Sequence, residues 1–284
     1  MSDIIAYTLH SGSSGNCIYV KTPDAEFLFD AGVSARAVEK GLNEIGSSLS
    51  RIRAIFVTHE HSDHIKGLEV ISKKHHIPTH MTNASARACI RTPDASLLND
   101  LYLHPSVFSV RFGQTTVRSF ATPHDSAASV GYTVEYEQDG TRQKFGLATD
   151  IGHITQEIEQ ALIGSDSVVI EANHDVNMLL CGPYPYHLKL RILSDHGHLS
   201  NEACAEFAKF LANHGTKNFI LAHLSKENNF APIAESTVRN ALSNFEDIHL
   251  AVALPSTPVL VGCDQPSEIH YVTDQYSLCR KYQG

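Results

Sequence analysis

A dense run of potential metal ligands lies in the first quarter of the chain. Residues 58–64 read THEHSDH, so four side chains that can bind a metal ion occur within six residues: His59, His61, Asp63 and His64. Core packing does not explain the cluster, because buried imidazoles and carboxylates need a partner for every polar atom. Alternate residues of an extended segment project to one side, so His59 and His61 can hold one ion while Asp63 and His64 reach a second. Ligands of this kind, without thiolate, suit zinc, manganese or iron.

The patterns on either side of this run indicate the elements that position it. Residues 53–58 form an apolar, β-branched and aromatic run typical of a buried strand, and apolar residues recur at helical spacing from Ile65. The ligand run therefore lies in a strand-to-helix loop. Further strands are predicted from Thr115, Ser129, Lys144 and Ser167, and helices over 156–163, 201–212 and 233–242. Since no linker, composition break or repeat divides the chain, we predict one domain over residues 1–284.

Composition narrows the class of protein. Of the 284 residues, 42% are hydrophobic and 19% charged, which is typical of a globular protein. The 22 basic and 31 acidic residues give a net charge of −9, which argues against a broad basic coat for non-specific nucleic-acid binding but leaves room for a local basic patch. The sequence shows no signal pattern, no membrane-spanning run and no paired cysteine motif, so we expect a cytoplasmic protein with reduced thiols and no membrane partner.

The motif H-x-H-x-D-H after an apolar strand resembles the signature of the metallo-β-lactamase superfamily. The family's other marks follow in order, each at a predicted strand end: Asp30 in FLFDAG, His124 in ATPHD, Asp150 in LATDIG and His223 in ILAHLS. The resemblance implies an α+β fold, a four-layer αβ/βα sandwich with two sheets face to face and helices outside. It also implies that His59, His61 and His124 bind one metal and that Asp63, His64 and His223 bind the other. Asp150 would bridge the two metals, and Asp30 would orient an imidazole ligand without binding metal itself.

Two divalent cations at such sites define the expected chemistry. Cations roughly 3.5–4 Å apart lower the pKa of a bridging water into the neutral range and leave positions open for substrate oxygens. The sequence therefore predicts a metal-dependent hydrolase, and Asp63, as a ligand, is expected to be required for turnover.

Two further segments indicate the kind of hydrolase. EANHD at 171–175 and GHLSNEA at 197–203 resemble elements of the tRNA 3′-processing ribonucleases, in which a Glu and His pair protonates the leaving oxygen; this implies a catalytic role for Glu171 and His198. The HEAT sequence of those enzymes is missing. The whole pattern resembles the YycJ/WalJ-like branch more closely, and members of that branch are associated with DNA exonuclease activity. The resemblance therefore implies a nucleic-acid substrate, DNA.

Substrate contacts are expected around 184–198, where cationic and aromatic side chains concentrate in an otherwise acidic chain. We predict substrate contacts at Lys189, Arg191 and the nearby His174, although Lys189 and Arg191 could equally be solvated residues of an amphipathic helix. Two other functions stay open at this point. One is a small-molecule hydrolase such as a cyclic phosphodiesterase or thioesterase, which needs a closed apolar pocket; the other is a metal-binding protein without turnover.

Overall fold

The computed structural model describes residues 4–89 and 100–262. Within these residues two seven-stranded sheets form. The strands of the first sheet are β1 Ile5–His10, β2 Cys17–Lys21, β3 Glu26–Phe29, β4 Ile52–Phe56, β5 Thr79–Thr82, β6 Leu101–His104 and β14 Val259–Leu260. Those of the second are β7 Ser109–Phe112, β8 Thr115–Ala121, β9 Val130–Gln138, β10 Thr141–Ala148, β11 Ser167–Glu171, β12 Asn218–Ala222 and β13 His249–Val252. The strands are ordered β14-β1-β2-β3-β4-β5-β6 in the first sheet and β13-β12-β11-β10-β9-β8-β7 in the second.

The described residues also form nine α-helices. They are α1 Ala35–Glu44, α2 Ser62–Ile65, α3 Leu68–His75, α4 Asn83–Cys89, α5 Gln156–Leu162, α6 Val176–Cys181, α7 Tyr186–Ile192, α8 Asn201–Asn213 and α9 Ala231–Ala241, with a 3-10 turn at Leu49–Arg51. Two of them begin at serine caps, since the hydroxyls of Ser34 and Ser200 accept hydrogen bonds from the first turns of α1 and α8. No helix in the two described segments combines the length and the apolar character needed to cross a bilayer.

Three apolar layers hold the sheets and helices together. Aromatic rings fill the space between the sheets, where Phe29 lies 5.5 Å from Phe56 and 5.2 Å from Tyr132, centroid to centroid. A second layer packs α1 and α3 on the first sheet, and a third packs α5, α8 and α9 on the other. The order helix, sheet, sheet, helix confirms the predicted α+β four-layer sandwich.

Each sheet has a parallel half, and this arrangement creates the site. Strands β3 to β6 are parallel, as are β10 to β13. The carboxyl ends of parallel strands meet at one edge of a sheet, so the loops after β3, β4, β10, β11 and β12 gather there.

The ligand run differs in one respect from the prediction. We expected one helix from Ile65, but α2 already begins at Ser62 inside the run, and α3 starts only at Leu68. The break falls at Gly67, whose N–H donates to the Ala31 carbonyl at 2.7 Å. A Cβ at Gly67 would lie 2.2 Å from the carbonyl oxygen of Val33, so the close approach of the two loops requires glycine.

None of the four cysteines among the described residues belongs to a group of side chains that could hold a metal ion. Cys17 and Cys204 are buried, Cys89 is partly buried and Cys181 is exposed. Cys263 and Cys279 fall outside the described residues.

Candidate metal centre

The predicted ligands lie where the central strands end. Asp30, Asp150 and His223 follow β3, β10 and β12, and each has a left-handed backbone, with φ of 62°, 58° and 56°. Such angles are uncommon for residues other than glycine. Their concentration at one edge marks a place where the fold holds strained backbone, as functional sites commonly do.

All seven predicted ligands come together in three overlapping groups of donor atoms, within each of which every atom lies within 4.8 Å of the others. The groups are His59, His61 and His124; Asp63, His64 and His223; and His59, His64 and Asp150. A fourth group joins Asp150 and His223 to Glu171 and His198. Two of these groups are the predicted halves of the centre. One half is His59, His61 and His124, and the other is Asp63, His64 and His223.

Asp150 lies between the two halves. Its Oδ2 is 3.3 Å from His64 Nε2 and its Oδ1 is 3.8 Å from His124 Nε2. On one side Asp63 Oδ2 is 3.6 Å from both His64 Nε2 and His223 Nε2. One carboxylate can therefore reach ions on both sides, which is the position expected of a bridging ligand.

Unpartnered buried atoms show that these residues suit a cation. Four buried side-chain nitrogen and oxygen atoms have no hydrogen-bond partner among the described residues. They are His59 Nε2, His124 Nε2, His223 Nε2 and Asp150 Oδ2. Nearly all buried polar atoms in proteins have a partner, so four exceptions in one place need an explanation. A divalent metal ion supplies one, because imidazole nitrogen and carboxylate oxygen are its usual ligands.

Hydrogen bonds behind the imidazoles determine which nitrogen faces the centre. His64 Nδ1 donates to Asp30 Oδ2 at 2.7 Å, and the backbone N–H and hydroxyl of Thr58 each donate to the Asp30 carboxylate at 2.8 Å. His59 Nδ1 lies 3.0 Å from the Thr58 hydroxyl. These bonds leave Nε2 of both histidines turned toward the centre, in agreement with the orienting position expected for Asp30.

Two further contacts of this kind were not predicted. His124 Nδ1 donates to the Gly197 carbonyl at 3.1 Å, and His223 Nδ1 donates to Glu171 Oε1 at 2.8 Å. No local motif signals the first, because its partners are 73 residues apart. The second joins a predicted ligand to a carboxylate that the sequence had linked only to His198.

Glu171 and His198 meet as expected. Glu171 is fully buried at the end of β11, and its Oε1 also accepts from His198 Nδ1 at 2.8 Å. Burial alone lowers the pKa of His198, but the Glu171 carboxylate more than offsets this and raises the pKa above its ordinary value. With 22% of its side chain exposed, His198 reaches the cavity while Glu171 does not.

Opposite charges lie close together in the centre, and each shifts the pKa of its neighbours. Burial lowers the pKa of His64, yet Asp150 and Asp30 more than compensate and raise it to about 9. Burial raises the pKa of Asp63, but the neighbouring imidazoles of His223 and His64 outweigh this and lower the pKa to about 2. An ion that binds at His64 must therefore displace a proton.

A cavity of about 310 Å³ opens over the centre, lined by His61, Asp63, His124, Asp150, His198 and His223. We call it the metal cavity. Arg191 lies at its rim, where its Nε donates to Asp125 Oδ2. Ser13, from the loop of sequence SGSSGN at residues 11–16, also lines the metal cavity.

The other two predicted substrate residues lie elsewhere. Lys189 donates from Nζ to the carbonyls of Leu180 and Gly182, at 2.6 and 2.8 Å, and so binds the end of α6. His174 is buried and lines a neighbouring cavity, and its two ring nitrogens lack partners within the described structure. Their contact with substrate stays a prediction.

The SGSSGN loop also contributes a contact that sequence reasoning missed. Asn16 places Nδ2 3.1 Å from His64 Nε2, and its backbone N–H donates to the Asp63 carbonyl at 2.8 Å. Gly32 packs beneath this contact, and a Cβ there would lie 1.6 Å from the Asp63 carbonyl oxygen. No local motif identifies the contact between Asn16 and His64, because the two residues are 48 apart in the sequence.

Comparison with known proteins agrees with this geometry. A family model described as the beta-lactamase superfamily domain matches residues 25–224. The chain is 37% identical over 235 residues to exodeoxyribonuclease YycJ of Bacillus anthracis, covering 82% of this chain and 87% of the relative. It is 36% identical over 239 residues to exodeoxyribonuclease WalJ of Streptococcus pneumoniae, covering 83% and 87%.

Among solved structures, the metallo-beta-lactamase fold protein YhfI from Bacillus subtilis aligns with a TM-score of 0.66 at 14% identity, over 91% of this chain and 100% of that one. At this identity the match shows a shared fold. Together with the family model and the two sequence relatives, it shows that the chain belongs to the beta-lactamase superfamily and, within it, to the family of YycJ and WalJ.

Proposed function

We propose that this protein is an exonuclease that hydrolyses the phosphodiester bonds of DNA with two divalent metal ions. The observation that carries the proposal is the grouping of the seven predicted ligands around one cavity, with His198, held by Glu171, on the wall of that cavity. The exodeoxyribonuclease names of the two sequence relatives support the substrate.

The chain's residues divide the work of holding the ions. His59, His61 and His124 would hold one ion, and Asp63, His64 and His223 the second, with Asp150 shared between them. When bound, zinc, manganese or iron would supply a water nucleophile that ionises near neutral pH and positive charge beside the phosphoryl oxygens.

His198 donates the proton that the leaving oxygen needs. An alkoxide is a poor leaving group at neutral pH, and a positioned acid is worth roughly 10²–10⁴ in rate. His198 suits this role because its Nδ1 is held by Glu171 and the ring reaches the metal cavity, where Nε2 can face the substrate. The raised pKa of His198 keeps the imidazole protonated at higher pH. Glu171 is too deeply buried to touch substrate, so it acts by positioning His198 and His223.

Arg191 is the cation best placed to meet a phosphate. Its side chain is 58% exposed at the rim of the metal cavity, and Asp125 fixes the position of the guanidinium. A planar guanidinium pairs well with phosphate oxygens.

The direct test is digestion of DNA and RNA labelled at either end, with metal content measured on the same preparation. We expect about two divalent ions per chain and stepwise release of nucleotides from one end of DNA. Intact DNA together with hydrolysis of a cyclic nucleotide or a thioester, by the same metal-loaded protein, would overturn the proposal.

Two substitutions test the assignments. Asp63→Ala should reduce metal content and abolish turnover while the fold survives, because this ligand lies in a loop. His198→Ala should leave metal content unchanged and lower kcat on DNA by roughly 10²–10⁴. That defect should shrink on a p-nitrophenyl phosphodiester, whose leaving group needs no protonation. The exposed His196, two residues away, provides the matched control in His196→Ala. Equal losses of His198→Ala on both substrates would show that His198 is not the acid.

A further inference from the structure

A second cavity adjoins the metal cavity, and His198 lies in the wall of both. It measures about 450 Å³, which is within the range of pockets that hold small molecules. We call it the helix-side cavity, because α8 forms much of its wall; its lining includes Ile154, His174, Leu193, His198, Phe207 and Phe210.

The walls of the helix-side cavity favour a flat, uncharged ring over a phosphate. Phe207 and Phe210 lie with ring centroids 5.8 Å apart and their planes within 15°. Glu159 and Glu206 also line the cavity, whereas none of the described residues in its lining is Lys or Arg. Carboxylates repel an anion, but they accept hydrogen bonds from ring N–H and amino groups.

His174 adds an unsatisfied polar group to the same wall. The residue is 1% exposed, and neither ring nitrogen has a hydrogen-bond partner in the described part of the chain. The backbone around it is fixed, because its carbonyl accepts from Asn201 N–H at 2.9 Å. Buried polar atoms are normally paired, so an imidazole without partners beside a cavity suits a polar ligand edge.

We propose that the helix-side cavity binds the nucleobase of the nucleotide that carries the leaving oxygen. The inference rests on the proposed function and specifies where its substrate lies. If the scissile phosphate occupies the metal cavity and His198 protonates the leaving oxygen, that oxygen lies at the boundary of the two cavities. The nucleoside attached to it then continues past His198 into the helix-side cavity, between apolar side chains and beside His174.

Filling the cavity provides the test. Ala203 lines it from the exposed side of α8 and takes no part in the metal cavity, so Ala203→Phe should occupy the space of the base. Lys209→Phe, on the same helix and outside the lining of both cavities, is the control for a new surface phenylalanine. Leu193→Trp fills the cavity from its other side if Ala203→Phe fails to fold. Thermal unfolding and metal content verify each variant.

The substrates are two DNA oligonucleotides that differ only in an abasic sugar at the leaving nucleotide. Base stacking is typically worth enough that the wild type should lose roughly 5- to 150-fold in kcat/KM on the abasic substrate. Relative to the wild type, Ala203→Phe should show a similar loss in kcat/KM on intact DNA. Its kcat/KM on the abasic substrate should be no lower than on intact DNA, because the substitution and the missing base remove the same contact. Lys209→Phe should behave as the wild type.

His174→Phe tests the polar part of the wall. The ring keeps its approximate volume, and no side-chain hydrogen bond within the described protein is lost, so thermal stability should hold. The preference among the four bases at the leaving nucleotide should change.

Different results separate the inference from the function. Cleavage of intact and abasic DNA at equal rates by the wild type, or full activity of Ala203→Phe and Leu193→Trp, would overturn the base site alone. No cleavage of any DNA by the metal-loaded wild type would overturn the proposed function and the base site with it.

Discussion

Replacing Glu171 by Gln tests whether one buried carboxylate holds both the proposed acid and a proposed metal ligand. Glu171 accepts four hydrogen bonds. Oε1 accepts from Nδ1 of His198 and His223, both at 2.8 Å, and Oε2 accepts from the N–H groups of Ile151 and Leu199, at 2.8 and 3.2 Å. All four partners are N–H donors, and a carboxylate can accept from all of them because both of its oxygens are acceptors.

The amide of Gln is the same size but has one accepting and one donating end. In either orientation its NH₂ group faces two donors, so two of the four hydrogen bonds are lost. Hydrogen bonds to charged groups contribute about 1.5–3 kcal/mol each, and the metal-free protein should lose about 3–6 kcal/mol in its free energy of unfolding.

One rearrangement could restore the two bonds to the histidines, namely a shift of both imidazole protons from Nδ1 to Nε2. That shift would occupy the atom with which His223 faces the centre. Changes of such supporting contacts commonly lower metal affinity 10- to 100-fold. Glu171→Gln should therefore lose stability, metal affinity or both.

Urea unfolding of the metal-free protein and chelator competition of the loaded protein measure the two quantities. Glu246→Gln, at an exposed position, controls for the loss of one negative charge. If Glu171→Gln unfolds at the wild-type urea concentration and binds metal with unchanged affinity, the carboxylate does not organise the site as described.

Two other outcomes follow from the packing around the ligand run. Gly32→Ala should lower metal content, because the new Cβ would lie 1.6 Å from the Asp63 carbonyl oxygen. Gly41→Ala, whose Cβ would lie no closer than 3.4 Å to any atom, should retain the metal. Elemental analysis of the two variants measures the difference. Since the pKa of His64 is raised from 6.5 to about 9, its contribution to metal-free stability is fully present below about pH 6.5 and lost as the pH rises through about 9. Urea unfolding across this pH range should show the decline in the free energy of unfolding. Asp30→Asn, which removes the carboxylate 2.7 Å from His64, should make the decline smaller. An identical pH profile in Asp30→Asn would contradict the role of Asp30 in raising the pKa of His64.

The grouping of the predicted ligands could be anticipated because much of its signal is local. His59, His61, Asp63 and His64 lie in one loop between a strand and a helix, and the carboxyl ends of parallel strands bring the remaining ligands to the same edge. The contacts that orient the ligands carry no such signal. Glu171 reaches His223 across 52 residues, and the loop of Asn16 reaches His64 across 48. These contacts depend on how neighbouring loops pack, which neither periodicity nor spacing encodes.

Lys189 and Arg191 show how one sequence pattern can include two residues that the structure places differently. The sequence groups them as neighbouring cations, but residues two apart on a helix project about 200° from each other. The turn of α7 therefore directs Lys189 to the carbonyls at the end of α6, where a cation stabilises the helix end, and leaves Arg191 at the rim of the metal cavity. Of these two side chains, only Arg191 lines the metal cavity, and it is therefore the one that we propose meets a phosphate.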